Sequence, residues 1–153
     1  MYVIKNEYEN LVKQYHTSLY RLLYTYCRNT CDAEDAVQTA YLRLLRSKKV
    51  FLSEQHAKNW LYTVGVNYVK DLQKSKWRQN DPLEADIPFE TEQQEGLYEA
   101  ISELDDKYRM VILLYYYEGY SVKEIAHMLN SNSSTIQTRL QRGREQLRVR
   151  LEE

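Results

Sequence analysis

Hydrogen-bonding side chains recur at helical spacing in the last third of the chain. They are Ser134, Gln137, Thr138, Gln141 and Arg142. In the major groove of duplex DNA, a glutamine can pair bidentately with adenine and an arginine with guanine. Thr135 is a further DNA-binding candidate, and Arg144, beyond the others, suits a phosphate. A polar stripe also fits a merely solvated helix face, so the surrounding elements must decide between the two interpretations.

The surrounding sequence predicts a helix-turn-helix. Ser121 and Glu124 have the spacing of a capping box, which starts a short helix. A polar turn at 130–132 separates it from a final helix at about 133–151. Residues 133–150 hold five arginines and one glutamate, which favours contact with DNA over a solvated face. The side of this helix predicted to face the core carries Ile136, Leu140, Gly143, Leu147 and Leu151.

Charge divides the chain into three segments. Residues 1–78 carry 13 Lys and Arg and 7 Asp and Glu, whereas residues 79–106 carry 10 acidic residues and no basic one. Residues 107–153 carry 8 Lys and Arg and 5 Asp and Glu. The net charge of −1 therefore masks two basic bodies and does not exclude a nucleic-acid partner. We predict a domain at 1–78, a linker at 79–95 that contains both prolines, and a domain at 96–153.

Both domains are predicted to be helical, so the expected fold class is all-α. The chain contains only 4 Gly and 2 Pro, which leaves little material for the tight turns of a sheet. In the first domain the apolar spacing predicts three helices, at about 5–27, 32–46 and 56–76. Asp32 is the expected N-cap of the second of these.

The second domain is predicted to hold four short helices, of which the last two form the helix-turn-helix. Asp105 is the expected N-cap of the second helix, and Tyr115 lies on its predicted core face. Gly119 is expected to end that helix, because glycine readily takes the left-handed conformation found at helix C-termini.

Two cysteines and an upstream histidine raise the question of a metal site. Cys27, Cys31 and His16 are fewer ligands than a structural zinc site takes, and the cysteine spacing is wider than usual. We therefore predict no metal and no cofactor. The sequence contains no phosphate-binding glycine loop, nucleophile elbow or metalloprotease motif, which predicts a non-enzymatic protein. Low cysteine content and the lack of an apolar run of about 20 residues predict a cytoplasmic protein without membrane insertion.

Three segments resemble regions of one protein family. Residues 104–147 (LDDKYRMVILLYYYEGYSVKEIAHMLNSNSSTIQTRLQRGREQL) resemble region 4 of a bacterial sigma factor. Residues 32–46 (DAEDAVQTAYLRLLR) resemble region 2.2, and residues 59–78 (NWLYTVGVNYVKDLQKSKWR) resemble regions 2.3 and 2.4. A linker in place of a third folded region is typical of the small extracytoplasmic-function (ECF) type. The resemblance implies a sigma-70 family factor with two helical domains.

The resemblance also implies which residues meet each partner. The core RNA polymerase would be bound by Asp35, Gln38, Tyr41, Leu42 and Arg43. Bases of the melted non-template strand at the minus-10 element would be captured by Phe51, Trp60, Asn67, Lys70 and Lys74. The duplex minus-35 element would be read by Ser134, Thr135, Gln137, Thr138, Gln141, Arg142 and Arg144.

The implied function is promoter-specific transcription initiation, with core polymerase, promoter DNA and an anti-sigma factor as partners. Two alternatives share most of these features: a stand-alone helix-turn-helix regulator that does not bind core polymerase, and a protein that sequesters an anti-sigma factor. Gln137 stands where the family commonly has Lys or Arg, which favours adenine in part of the minus-35 element. The acidic linker is expected either to mimic nucleic acid in the RNA-exit path or to act as a solubilising tether.

Overall fold

The computed structural model describes residues 4–73 and 92–152. The chain divides into two compact units, unit 1 (Met1–Pro82) and unit 2 (Leu83–Glu153). Unit 1 contains α1 (Ile4–Cys27), α2 (Thr30–Arg46) and α3 (Glu54–Gln73). Unit 2 contains α4 (Glu92–Ser102), α5 (Asp106–Ile112), a π-helical turn (Leu113–Tyr117), α6 (Val122–Met128) and α7 (Ser133–Glu152). The described residues contain no strand, and the predicted all-α class is confirmed.

In unit 1 the three helices pack on one another around a single apolar core. Ala33, Ala36 and Ala40 of α2 are fully enclosed, and their small size lets neighbouring helices approach closely. Gly65 has the same effect on α3, since a Cβ there would lie 3.1 Å from Leu23 Cδ1 of α1. The larger side chains of this core are fully buried. They include Leu11, Leu19, Leu23, Leu44 and Leu61.

The start of α2 differs from the prediction. Arg28 has a φ of 53°, and Asn29 is the N-cap of α2. The Asn29 side chain accepts a hydrogen bond from the Asp32 backbone N–H at 2.9 Å. The prediction that Asp32 caps this helix is therefore wrong, because Asp32 lies in the first turn and is buried. Asparagine and aspartate are about equally good N-caps, so residue type could not choose between them.

Unit 2 packs α4, α5 and α6 against the long final helix α7. Its first helix begins at Glu92, before the predicted domain start at 96. Asp105 occupies the N-cap position of α5 as predicted, but within the described residues its side chain makes no capping hydrogen bond. The buried Arg109 instead donates to the carbonyls of Ser102 and Leu104, at 3.2 and 2.7 Å. This guanidinium satisfies carbonyl groups that the end of α4 leaves unpaired.

A π-helical turn at Leu113–Tyr117 follows α5, and the sequence did not predict it. A π-helical turn holds an extra residue, which rotates the side chains that follow it. Leu114 is consequently buried, whereas Tyr115 is exposed. The prediction that Tyr115 faces the core is therefore wrong. Gly119, with a φ of 75°, takes the left-handed conformation predicted for it after this segment.

Candidate nucleic-acid interface

The final helix, α7, presents a polar side to solvent. Its exposed polar side chains include Ser134, Gln137, Thr138, Gln141 and Arg142. Ile136 and Leu140 of the same helix are buried in unit 2, because residues three and four apart return to the same side of a helix. Thr135 lies at the edge of the polar side and is half-buried. The structure thus brings together six of the seven minus-35 candidates.

Capping hydrogen bonds fix the two helices of the helix-turn-helix. At the start of α6, the Glu124 N–H donates to Ser121 Oγ and the Ser121 N–H donates to Glu124 Oε1, both at 3.1 Å. The predicted capping box is therefore confirmed. In the turn, Asn130 has a φ of 52°. At the start of α7, the Thr135 N–H donates to Asn132 Oδ1 at 2.8 Å, so both helix starts are anchored by side chains.

A close helix crossing also positions α7. A Cβ on Gly143 would lie 3.0 Å from Ile112 Cγ1 and 3.3 Å from Tyr108 Cβ. Such distances are shorter than ordinary van der Waals contact, so only glycine permits this approach of α7 to α5 without a shift of neighbouring atoms.

A groove of about 340 Å³ runs beside the first turns of α7. It is lined by Lys107, Tyr108, Ser134, Thr135, Thr138, Arg139 and Arg142. Three of these residues are cations, and sequence analysis selected only Arg142. Lys107 belongs to α5, with its Nζ 5.1 Å from the centroid of the Tyr108 ring. No sequence signal links Lys107 to α7, because the two helices meet only through tertiary packing.

Arg144 lies one turn beyond Gln141 on α7. Its Nη1 donates to Tyr116 Oη at 2.9 Å, and it lines a second, mostly apolar groove of about 660 Å³. The prediction that Arg144 contacts the minus-35 DNA, through a phosphate, stays a prediction, since Arg144 is exposed. Leu147 and Leu151 also line the groove. Leu151 is 56% exposed, so the prediction that it faces the core is wrong.

In unit 1, α2 exposes a face with two leucines. Asp35, Gln38 and Arg43 are exposed, and Leu42 is 46% exposed. Leu45 is 45% exposed and was missed, although its spacing of three from Leu42 was a usable signal. Apolar side chains surrounded by polar ones are typical of surfaces that protein partners cover.

Tyr41 does not belong to this face of α2. It is only 5% exposed, and its Oη donates to the Leu11 carbonyl oxygen at 3.0 Å. Its ring meets the Tyr8 ring edge-on, with the centroids 6.0 Å apart. Burial is the main cause of the raised pKa of its phenol. The prediction that Tyr41 contacts a partner is therefore wrong, because its side chain is part of the three-helix core.

The loop that joins α2 to α3 alternates between exposed and buried side chains. Val50 is 60% exposed, Phe51 is fully buried and Leu52 is 79% exposed. The Phe51 ring lies edge-on to the rings of His56 and Trp60, with centroid distances of 5.2 and 5.8 Å. The prediction that Phe51 offers a stacking surface to a base is therefore wrong, because its ring is enclosed.

The remaining minus-10 candidates lie on α3 or beyond it. Asn67 is exposed, whereas Trp60 and Lys70 are half-buried. Asn67 and Lys70 are three residues apart and share one side of the helix. Lys74 lies outside the described residues.

Two family models cover most of the chain. The model described as Sigma-70 region 2 matches residues 11–79, and the model described as Sigma-70, region 4 matches residues 94–147. The chain belongs to the sigma-70 family. The two matches fall in unit 1 and unit 2 respectively, and relatives of the small ECF type support that assignment.

The sigma factor is similar to proteins of comparable length. It is 29% identical over 168 residues to the ECF RNA polymerase sigma factor SigW of Bacillus subtilis (strain 168), covering 96% of this chain and 90% of the relative. It is 27% identical over 146 residues to RNA polymerase sigma factor SigV of the same strain, covering 92% and 88%. Its fold is similar to that of the sigma factor RpoE in a complex with the anti-sigma factor NepR from Bartonella quintana, with a TM-score of 0.72, 20% identity and coverage of 96% and 98%.

As a sigma factor, the chain directs transcription initiation and binds core RNA polymerase and promoter DNA. Sigma factors are in general non-enzymatic initiation factors. Within residues 4–73 and 92–152, no three His, Cys, Asp or Glu side chains are grouped to hold a metal ion. The absence of a metal and a cofactor stays a prediction. None of the helices in that part of the chain combines the length and apolar character that crossing a membrane requires.

Proposed function

We propose that this sigma factor reads a duplex minus-35 element with the exposed side of α7. One observation carries the proposal: Gln137, Gln141 and Arg142 are exposed on a helix whose first turns border a groove with three cations. Lys107 and Arg139 of that groove suit phosphate oxygens, which position a protein on DNA without reading its sequence. The amide and guanidinium groups then select adenine and guanine through base-edge hydrogen bonds.

In the same proposal, unit 1 captures bases of the melted minus-10 element. Asn67 is exposed and carries both a donor and an acceptor, so it can read the edge of an unstacked base. Lys70, on the same side of α3, suits the phosphates of a single strand. Trp60, which is half-buried, completes the described part of this candidate site.

The exposed face of α2 is the proposed contact with core RNA polymerase. Leu42 and Leu45 form its apolar centre, and Asp35, Gln38 and Arg43 surround them. Truncation of a central apolar side chain usually weakens a protein interface more than truncation of a charge at its rim. Leu42→Ala is therefore expected to weaken core binding more than Gln38→Ala does.

Further parts of the proposal concern partners and organisation. An anti-sigma factor is a proposed partner, because RpoE, which has a similar fold, was solved in complex with one. The chain is proposed to have no catalysis of its own and to act in the cytoplasm, where the core enzyme and the chromosome lie.

The domains at 1–78 and 96–153 are proposed to make the two promoter contacts. The linker at 79–95 lies mostly outside the described residues, and its role as a nucleic-acid mimic stays a proposal.

Run-off transcription with core RNA polymerase on a library of genomic promoter fragments tests this proposal. We expect the purified chain to co-elute with the core enzyme and to start transcription at a defined set of promoters. Arg142→Ala is expected to reduce initiation at those whose minus-35 element carries the matching guanine. A chain that binds duplex DNA without binding core polymerase would instead be a stand-alone regulator. A chain whose activity survives Arg142→Ala and depends on an anti-sigma factor would be a sequestering protein.

A further inference from the structure

The close crossing of α5 and α7 adjoins the groove beside the first turns of α7. Tyr108 belongs to both features, because its Cβ lies 3.3 Å from the position that a Cβ on Gly143 would take and it also lines the groove. Lys107 is the preceding residue of α5, and its Nζ lies 5.1 Å from the centroid of the Tyr108 ring. A residue that limits the approach of the two helices is therefore next to the cation that α5 contributes to the groove.

The neighbours of Gly143 are fixed to α5. Tyr108 and Ile112 are buried and lie on one side of that helix, four residues apart. A Cβ on Gly143 would meet Ile112 Cγ1 at 3.0 Å and Tyr108 Cβ at 3.3 Å. Because a Cβ is bonded directly to the backbone, Tyr108 can give way only if α5 moves with it. A methyl group at position 143 would therefore move α5 away from α7 by a few tenths of an ångström.

A shift of this size matters for a groove with charges on both walls. α5 supplies Lys107, whereas α7 supplies Arg139 and Arg142. The hydrogen bond from a nitrogen to a phosphate oxygen has a narrow range of lengths, about 2.7–3.2 Å. Lys107 lies over the Tyr108 ring, so its ammonium group follows any movement of Tyr108. Separation of the two helices would thus weaken a phosphate contact of Lys107 while the side chains of α7 stay in place.

We propose that Gly143 is a positioning residue for promoter DNA, because it lets α5 lie close enough to α7 for Lys107 to meet the backbone of the duplex that α7 reads. This inference rests on the proposed function of unit 2 and adds the residue that joins the two walls of the groove. Gly143 lies in the interior of α7, where glycine is unfavourable relative to alanine. The close approach that it permits offsets this disadvantage.

The test uses the holoenzyme, formed from core RNA polymerase and the full chain. Its probe is a duplex fragment with the minus-35 element of a promoter that this holoenzyme transcribes, titrated at several salt concentrations. Gly143→Ala is expected to lower the affinity about threefold and to reduce the salt slope, because the phosphate contact of Lys107 is weakened. A Gly143→Ala holoenzyme with wild-type affinity and salt slope would remove Gly143 from the site.

Gly96→Ala is the matched control. Gly96 also lies in a helix, α4, but it is exposed, and among the described residues a Cβ there would meet nothing within 4 Å. Its substitution is expected to leave the affinity for the duplex within about twofold of wild type. An equal loss for Gly96→Ala and Gly143→Ala would contradict the importance of the helix crossing.

Double substitutions separate positioning from a general disturbance of unit 2. Lys107→Ala is expected to lower the affinity about fivefold in the wild-type chain but less than about twofold in the Gly143→Ala chain, where its contact is already weakened. Arg142→Ala should lower the affinity by the same factor in both chains, because its contact belongs to α7 alone. An undiminished effect of Lys107→Ala in the Gly143→Ala chain would overturn the positioning role. So would the disappearance of both effects, which indicates a disturbed domain.

The same variants distinguish this inference from the proposed function. If Arg142→Ala and Lys107→Ala weaken binding of the duplex and Gly143→Ala does not, only the inference fails. If neither Arg142→Ala nor Lys107→Ala weakens it, α7 does not read the minus-35 element. Far-UV circular dichroism at the temperature of the titrations is expected to show wild-type helix content for each variant.

Discussion

The two DNA-facing parts of this sigma factor are built on different principles. In unit 2 the candidate contacts lie on one regular helix, α7, whose period fixes the direction of each side chain. In unit 1 part of the candidate site is a loop, where Phe51 points inward and Leu52 points outward. That choice depends on local contacts such as the hydrogen bond that the Leu52 N–H donates to His56 Nδ1. A helix therefore allows its exposed residues to be deduced from spacing, whereas a loop requires its contacts to be known.

Phe51→Ala tests the loop side of this comparison and is expected to have the largest effect. Phe51 is fully buried, and removing such a ring from a packed core lowers the free energy of unfolding by about 3–5 kcal/mol. Both tryptophans, Trp60 and Trp77, belong to unit 1, so urea denaturation followed by tryptophan fluorescence reports on that unit. Leu52→Ala, at the exposed neighbour, is the control and is expected to change stability by less than about 0.5 kcal/mol. A Phe51→Ala variant of wild-type stability that lost only DNA affinity would restore Phe51 as a base contact.

Arg142→Ala tests the helix side of the comparison. A bidentate contact between arginine and guanine contributes about 1–3 kcal/mol of discrimination, so the affinity of the holoenzyme for duplex minus-35 DNA should fall roughly five- to hundredfold. Arg150→Ala is the matched control, because Arg150 lies eight residues beyond Arg142 on α7 and pairs with Glu103 of the same unit. We expect its effect on this affinity to stay within about twofold. Equal losses for the two variants would mean that positive charge along α7, and not a base contact of Arg142, accounts for the loss.

The sequence allowed the regular parts of both units to be predicted, and its errors have common physical causes. The capping box of Ser121 and the left-handed Gly119 depend on local chemistry, and both predictions are confirmed. The error at Tyr41 came from the family resemblance, because helical spacing alone places Tyr41 on the buried side of α2 with Val37 and Leu44. Tyrosine has an apolar ring and a polar tip, so helical spacing did not assign Tyr115 to the surface. In the case of Tyr115, the π-helical turn also changed the phase of the helix. Lys107 was missed because its place beside α7 arises only from tertiary packing.

Lys107→Ala distinguishes residues of unit 2 that contact DNA phosphates from residues that contact base edges. If Lys107 meets a phosphate, its removal weakens binding to all duplex sequences alike, by roughly three- to tenfold, and lowers the salt slope of binding by about 1. Titrations of holoenzyme with duplex DNA at several salt concentrations measure both quantities. Lys123→Ala is a control at an exposed position of α6 outside the groove. A change in sequence preference without a change in salt slope would instead make Lys107 a base contact.

Two tyrosines give the smallest expected effects: the buried Tyr41 of unit 1 and Tyr117 of unit 2, which is half-buried with an enclosed hydroxyl. Burial, reinforced by Tyr98, raises the pKa of Tyr117 to about 12, and within the described residues its Oη has no hydrogen-bond partner. The folded state thus retains a proton that the unfolded chain releases near its ordinary pKa of about 10. This contribution to stability is fully present below about pH 10 and is lost as the pH rises toward 12.

Tyr117→Phe removes this ionisation. At pH 7 we expect the variant to equal the wild type or to gain up to about 1 kcal/mol in free energy of unfolding, because the unpaired buried hydroxyl is gone. Its stability should also fall less than that of wild type between about pH 10 and pH 12, which denaturation followed by far-UV circular dichroism measures. Tyr41→Phe is the counterpart in unit 1 and should lose about 1 kcal/mol at pH 7, because Tyr41 Oη donates to the Leu11 carbonyl. A loss of similar size in Tyr117→Phe would mean that the Tyr117 hydroxyl is satisfied in solution, and the contrast between the two tyrosines would disappear.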